Sequence, residues 1–131
     1  MQDTPPAATS QTLIWIGRVL SGLIVVGLLL SGAMKFTTSP EMDEGLAHIG
    51  FPKHLVRPLG VLEIACAVIY AIPQTAVLGA ILVTGYFGGA ICTHLRVGDA
   101  YIVQALFPVV TWLALYLRDS RLRALLPLRS L

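Results

Sequence analysis

Long apolar runs separated by short polar turns dominate the chain. Residues 13–34 are apolar apart from Arg18, Ser21 and Ser31. As a helix they would rise about 33 Å, enough to cross the hydrocarbon core of a bilayer. Residues 76–95 and 101–117 repeat the pattern. A shorter run, 58–72, lies between Pro58 and Pro73; proline suits a first helical turn and cannot continue an interior one. Because this run is short for a bilayer, its first turn is expected to start within 53–57. The pattern predicts four membrane-spanning helices joined by tight turns at 72–75 and 96–100.

The polar segments fill in the rest. Residues 1–11 are polar, with Pro5, Pro6 and small residues, and read as a disordered leader. The longest connection, 35–57, carries Ser39 ahead of Pro40 and an acidic turn, the signature of a helix start. A short amphipathic helix over 41–49, ending at Gly50, is expected to lie along the membrane surface between spans one and two. Residues 119–131 form a basic tail. Four helices with short turns imply an all-α, integral-membrane bundle running up, down, up and down. Gly17, Ser21, Gly27 and Ser31 in the first span, and Gly79, Gly85, Gly88 and Gly89 in the third, offer faces for close helix approach. The densest basic cluster, Arg118, Arg121, Arg123 and Arg129, places both termini in the cytoplasm of a bacterial-type inner membrane by the positive-inside rule.

Composition agrees. Hydrophobic residues make up 56% of the chain and charged residues 12%, against about 25% charged in a typical soluble domain. A formal net charge of +2, with basic residues at segment ends, gives no footprint for nucleic acid. No phosphate loop and no metal-ligand spacing is present. Cys66 and Cys92 are far apart and both lie in apolar runs, so neither a CxxC motif nor a metal site is expected; contact between the two stays open.

One carboxylate, Glu63, stands inside the second apolar run. A charge in lipid costs a few kcal/mol or more, so it faces a bundle interior and finds partners. In an alternating bundle the end of span one, the start of span two, the end of span three and the start of span four share one side. Lys35, Glu63, His94 and Gln104 occupy those places. Helical spacing adds Tyr70 to the face of Glu63, Phe87 to that of His94 and Trp112 to that of Gln104. The expectation is a pocket with a polar mouth (Lys35, Glu63, His94, Gln104) over an aromatic floor (Tyr70, Phe87, Trp112), suited to a small lipophilic ligand. Glu63 and His94 would be the acid–base pair and the others ligand contacts. Each residue also has a plainer reading: Lys35 snorkelling to headgroups, Glu63 in a structural ion pair, His94 bonded to backbone, and the aromatics as packing.

The arrangement resembles the DoxX-like family of small four-helix membrane proteins over about residues 15–127. The carrying features are Arg18, Ser31-Gly32-Ala33-Met34-Lys35-Phe36, Gly50-Phe51-Pro52, Gly60-Val61-Leu62-Glu63, Pro73, Gly79-Ala80, Gly89-Ala90 followed by His94, and Leu117-Arg118-Asp119. What the resemblance implies is the fold and the membrane, with Lys35, Glu63 and His94 at the family's recurrent polar places. Some relatives look like parts of quinone-linked sulfur oxidation or of membrane redox complexes. The first expectation is therefore a quinone- or lipophile-site component of a membrane redox system, with no intrinsic cofactor, a quinone as the ligand, and a redox enzyme, another membrane subunit or a second copy as protein partner. The alternatives are a non-catalytic accessory subunit and a stand-alone enzyme doing isomerase or epoxide-opening chemistry.

Overall fold

The computed structural model describes residues 10–129. The leader expected over 1–11 lies almost wholly outside them, as do tail residues 130 and 131. The described residues are all-helical. Helix α1, Gln11–Met34, starts where the Ser10 hydroxyl accepts the Leu13 N–H at 3.2 Å. Helix α2, Pro40–Ile49, starts where Ser39 accepts the Met42 N–H at 3.1 Å. It stops at Gly50, whose φ of 66° is the left-handed cap conformation that glycine adopts without a side-chain clash. A 3₁₀ turn, Lys53–Leu55, feeds into α3, Val56–Ala71, so the second apolar helix begins upstream of Pro58, as its shortness demanded. A second 3₁₀ turn, Pro73–Thr75, leads to α4, Ala76–Leu95. Helix α5, Ile102–Arg118, and a single turn, α6, Ser120–Arg123, complete the described chain.

Helix α1 packs against α3 and α5, and α4 packs against the same two, so the four long helices close into a ring. Small residues set the closest approaches. On α1 the buried positions are Gly17, Ser21, Ile24, Leu28 and Gly32, one helical face. A Cβ at Gly60 would stand 2.9 Å from the Gly32 carbonyl, so α1 and α3 touch backbone to backbone there. Gly79 presses equally hard on Tyr70, joining α4 to α3. The rest of the expected glycine face on α4 does not pack: Gly85, Gly88 and Gly89 have open space where a Cβ would go. The core between the helices holds Leu28, Cys66, Ala67, Tyr70, Val83, Phe87 and Leu115. Cys66 is buried and Cys92 exposed, and both are free thiols.

The outside of the ring is apolar too. Trp15, Val19, Leu23, Leu30, Val61, Leu78, Ile81, Val103 and Val109 are all exposed. In the apolar stretches of Gln11–Met34, Lys53–Ala71 and Pro73–Leu95 only 22%, 33% and 28% of residues are buried, and each stretch is long and apolar enough to cross a membrane. Ile102–Arg118 is apolar but shorter. An apolar exterior of this extent far exceeds the patches that a monomeric soluble protein shows to water. Helices, with every backbone bond made internally, are the form in which such a surface meets lipid. This is a membrane protein.

Candidate functional site

The site grows from the α1–α3 contact. Gly32 and Gly60 bring the two backbones together one turn before Lys35 at the end of α1 and one turn before Glu63 on α3. Lys35, capping α1, therefore arrives directly over Glu63. Its Nζ donates to Glu63 Oε2 at 2.6 Å. The same ammonium donates to Ser31 Oγ at 3.2 Å and, at 3.5 Å, reaches the Ser31 carbonyl. From α4, the Tyr86 hydroxyl donates to Glu63 Oε2 at 3.1 Å. Glu63 is 2% exposed and Lys35 23%, so the carboxylate is sealed in while its cation stands partly in the open. Charge-assisted bonds of this length are the strong class of hydrogen bond.

Glu63 lies on the wall of a cavity of about 890 Å³. Lys35, Tyr86, Phe87, His94 and Gln104 share that wall, and Met42, Leu46 and Ile49 of α2 also line it. Its size and its mostly apolar lining with a few convergent polar groups match small-molecule sites. A second depression, of about 510 Å³, lies along one face of α1 alone, lined by Trp15, Ile16, Val19 and Leu20 with Gln11 and Thr12 at its end.

Of the residues expected at the mouth, Lys35, Glu63, His94 and Gln104 all reach the cavity, and so does Phe87, stacked on Phe107 at 4.8 Å between ring centres. Tyr70 and Trp112 do not line it. The Tyr70 hydroxyl donates to the Thr111 carbonyl at 3.0 Å and pairs with Ser21 Oγ at 3.2 Å, in the core between α1, α3 and α5. Trp112 Nε1 donates to Thr84 Oγ1 at 2.8 Å, joining α5 to α4. Both share a face with a site residue but sit two turns further along the helix.

His94 and Glu63 share the cavity without a hydrogen bond between them among the described residues. His94 turns instead to Asp99, Nδ1 to Oδ2 at 3.6 Å, and Asp99 Oδ1 meets His48 Nε2 at 2.8 Å. The His48 hydrogen bond holds the Asp99 carboxyl below its ordinary value against the opposing effect of desolvation, with the His48 charge and then His94 adding to the lowering. Arg96 Nη2 donates to the Ile49 carbonyl. These contacts tie α2 to the turn between α4 and α5. The amphipathic helix therefore turns Met42, Leu46 and Ile49 to the protein's own cavity.

Three contributors escaped the sequence reading. Tyr86 is eight residues before His94, on the same helical face, and its hydroxyl inside an apolar run was the available signal. Ser31 stands one turn before Lys35 and was read only as a small residue. Met42, Leu46 and Ile49 form the apolar stripe of α2, whose spacing was visible but whose partner was not.

The model of the DoxX-like family matches residues 19–117 of the chain. No curated protein and no solved structure matches it.

Proposed function

The chain belongs to the DoxX-like family, and from that premise we propose that it binds a small lipophile in the cavity beneath α2, with the Glu63 carboxylate as the polar anchor. In this reading α1, α3, α4 and α5 cross the bilayer in alternating directions. The arginines at 118, 121 and 123 mark the cytoplasmic side. The site then lies on the opposite side, where a lipophile can enter from the membrane. One observation carries the proposal: a 2%-exposed acidic side chain, bonded to Lys35, forms part of the wall of an apolar space of about 890 Å³. Quinones and quinols belong to the ligand class by size and polarity. Native mass spectrometry of protein extracted gently from its membrane tests the reading. Wild type should carry a co-purifying lipophile that Glu63→Gln loses, and a bare wild-type mass that also fails to take up added lipophiles would overturn it.

A second reading, Glu63 as bundle structure, is favoured by the 2.6 Å bond to Lys35. It expects an accessory subunit, seen in the same spectra as a retained protein partner with no small molecule.

A further inference from the structure

The hydrogen bonds around Glu63 are lopsided. Oε2 accepts from both Lys35 and Tyr86, whereas Oε1 accepts from no described residue. Nor is Oε1 sealed off: among the described residues Arg118 Nε is the side-chain nitrogen or oxygen that is both fully buried and unpartnered. Since Glu63 is 2% exposed and lines the cavity, the open side of Oε1 is the cavity side. An ionised carboxylate only accepts hydrogen bonds.

The two donors that reach Glu63, Lys35 and Tyr86, are engaged at Oε2. An ammonium has three protons, and Lys35 directs them at Glu63 Oε2, Ser31 Oγ and the Ser31 carbonyl. The Tyr86 proton goes to Oε2, leaving its oxygen as a further acceptor. A carbonyl or ether brought to Oε1 would meet an acceptor. A hydroxyl would meet what it needs.

Resting on the ligand-site reading above, we infer that the cavity selects lipophiles whose polar head donates a hydrogen bond to Glu63 Oε1: neutral alcohols and phenols in preference to their ethers. A quinol hydroxyl suits Oε1, whereas a quinone oxygen would have to take its donor from elsewhere on the wall, at the Ser31 hydroxyl or the Gln104 amide. A charged acceptor left unpaired in a buried site weakens binding of any occupant that cannot satisfy it.

The matched probes are 4-octylphenol and 4-octylanisole, which share ring and tail and differ in the donor. Both are titrated into the full chain in dodecylmaltoside micelles by isothermal calorimetry. The reference is Lys35→Met/Glu63→Leu, which removes the acceptor without stranding a charge. Comparing the phenol-to-anisole affinity ratio between wild type and this variant cancels the different partitioning of the probes into detergent. The wild-type ratio should exceed the variant's by at least tenfold. If circular dichroism shows that the double variant is unfolded, Glu63→Gln replaces it, with a smaller but still reduced ratio expected, since a neutral acceptor makes a weaker bond. Equal ratios in wild type and variant, with both probes binding, would overturn the donor selection and leave the cavity reading standing. Failure of wild type to bind either probe would overturn both.

Discussion

Removing the two members of the Lys35–Glu63 pair should have unequal consequences, and the burial figures say which is worse. In Lys35→Met the Glu63 carboxylate, 2% exposed, keeps only the Tyr86 hydroxyl. Stripping one partner from a buried ion pair costs about 3–5 kcal/mol, and that range fits a carboxylate only 2% exposed. In Glu63→Gln the stranded group is Lys35, which is 23% exposed at the end of α1 and keeps Ser31. Its flexible stem lets it turn outward, so the loss is one charge-assisted hydrogen bond, about 1.5–3 kcal/mol. The double variant Lys35→Met/Glu63→Gln, which closes the cycle, strands no charge and should be less damaged than Lys35→Met, since replacing a whole buried pair is often neutral where breaking it is not. The cycle should therefore show a coupling of about 3 kcal/mol or more, within the range measured for close charge pairs. The assay is equilibrium unfolding of the full chain in mixed micelles with increasing dodecyl sulfate, followed by helical circular dichroism. Glu63→Gln proving worse than Lys35→Met would contradict the assignment of Glu63 as the sealed partner. A double variant as damaged as Lys35→Met would end the pair account altogether.

Two further predictions follow from local geometry. Gly79→Ala would place a methyl carbon 2.5 Å from the Tyr70 nitrogen and 2.7 Å from its Cβ. Neither can move without shifting α3, and overpacking of this kind costs about 1–3 kcal/mol. Gly85→Ala on the same helix meets open space and should be neutral or stabilising by up to about 1 kcal/mol through helix propensity; equal effects in the same unfolding assay would deny the α3–α4 contact. The depressed Asp99 carboxyl stabilises the docked α2 above the ordinary unfolded value, near about 3.9, and loses that contribution as pH falls through its lower folded value. Amide-exchange protection in α2, corrected for intrinsic rates, should hold from neutrality to about pH 4 and decline below. Asp99→Asn should already show reduced protection at pH 7, and an unchanged pattern in that variant would dismiss the latch.

Much of this was legible in the chain because the information was local. Ser39, Pro40 and Gly50 fixed the bounds of α2 through capping chemistry that needs no tertiary contact. The meeting of Lys35 with Glu63 was legible for a different reason: consecutive spans place those positions at one depth, and a lone carboxylate in an apolar run must find a cation. The misplacement of Tyr70 shows the limit of face reasoning. A residue seven positions on shares the face of Glu63 but lies about 10.5 Å along the axis, where Ser21 and Thr111, not the cavity, receive it. Gly85, Gly88 and Gly89 show the same limit from the other side, since a small side chain permits close packing without requiring it. The apolar stripe of α2 could face lipid or protein equally well. Only the contacts of His48 and Ile49 with the α4–α5 turn decide between them.

The ion pair itself argues for a use beyond stability. Two charges taken out of water gain little over well-packed apolar groups of the same volume, and α1 and α3 are already joined at Gly32 and Gly60. A purely structural pair would satisfy both carboxylate oxygens, yet here both donors converge on Oε2 and Oε1 accepts from no described residue. That geometry holds the carboxylate in one orientation and keeps an acceptor available. The double variant separates the two roles in a single molecule. If Lys35→Met/Glu63→Leu folds as stably as wild type and loses its preference for octylphenol, the pair is there for what Oε1 binds. If it unfolds more easily and its phenol-to-anisole ratio equals that of wild type, the pair belongs to the bundle and Oε1 selects nothing.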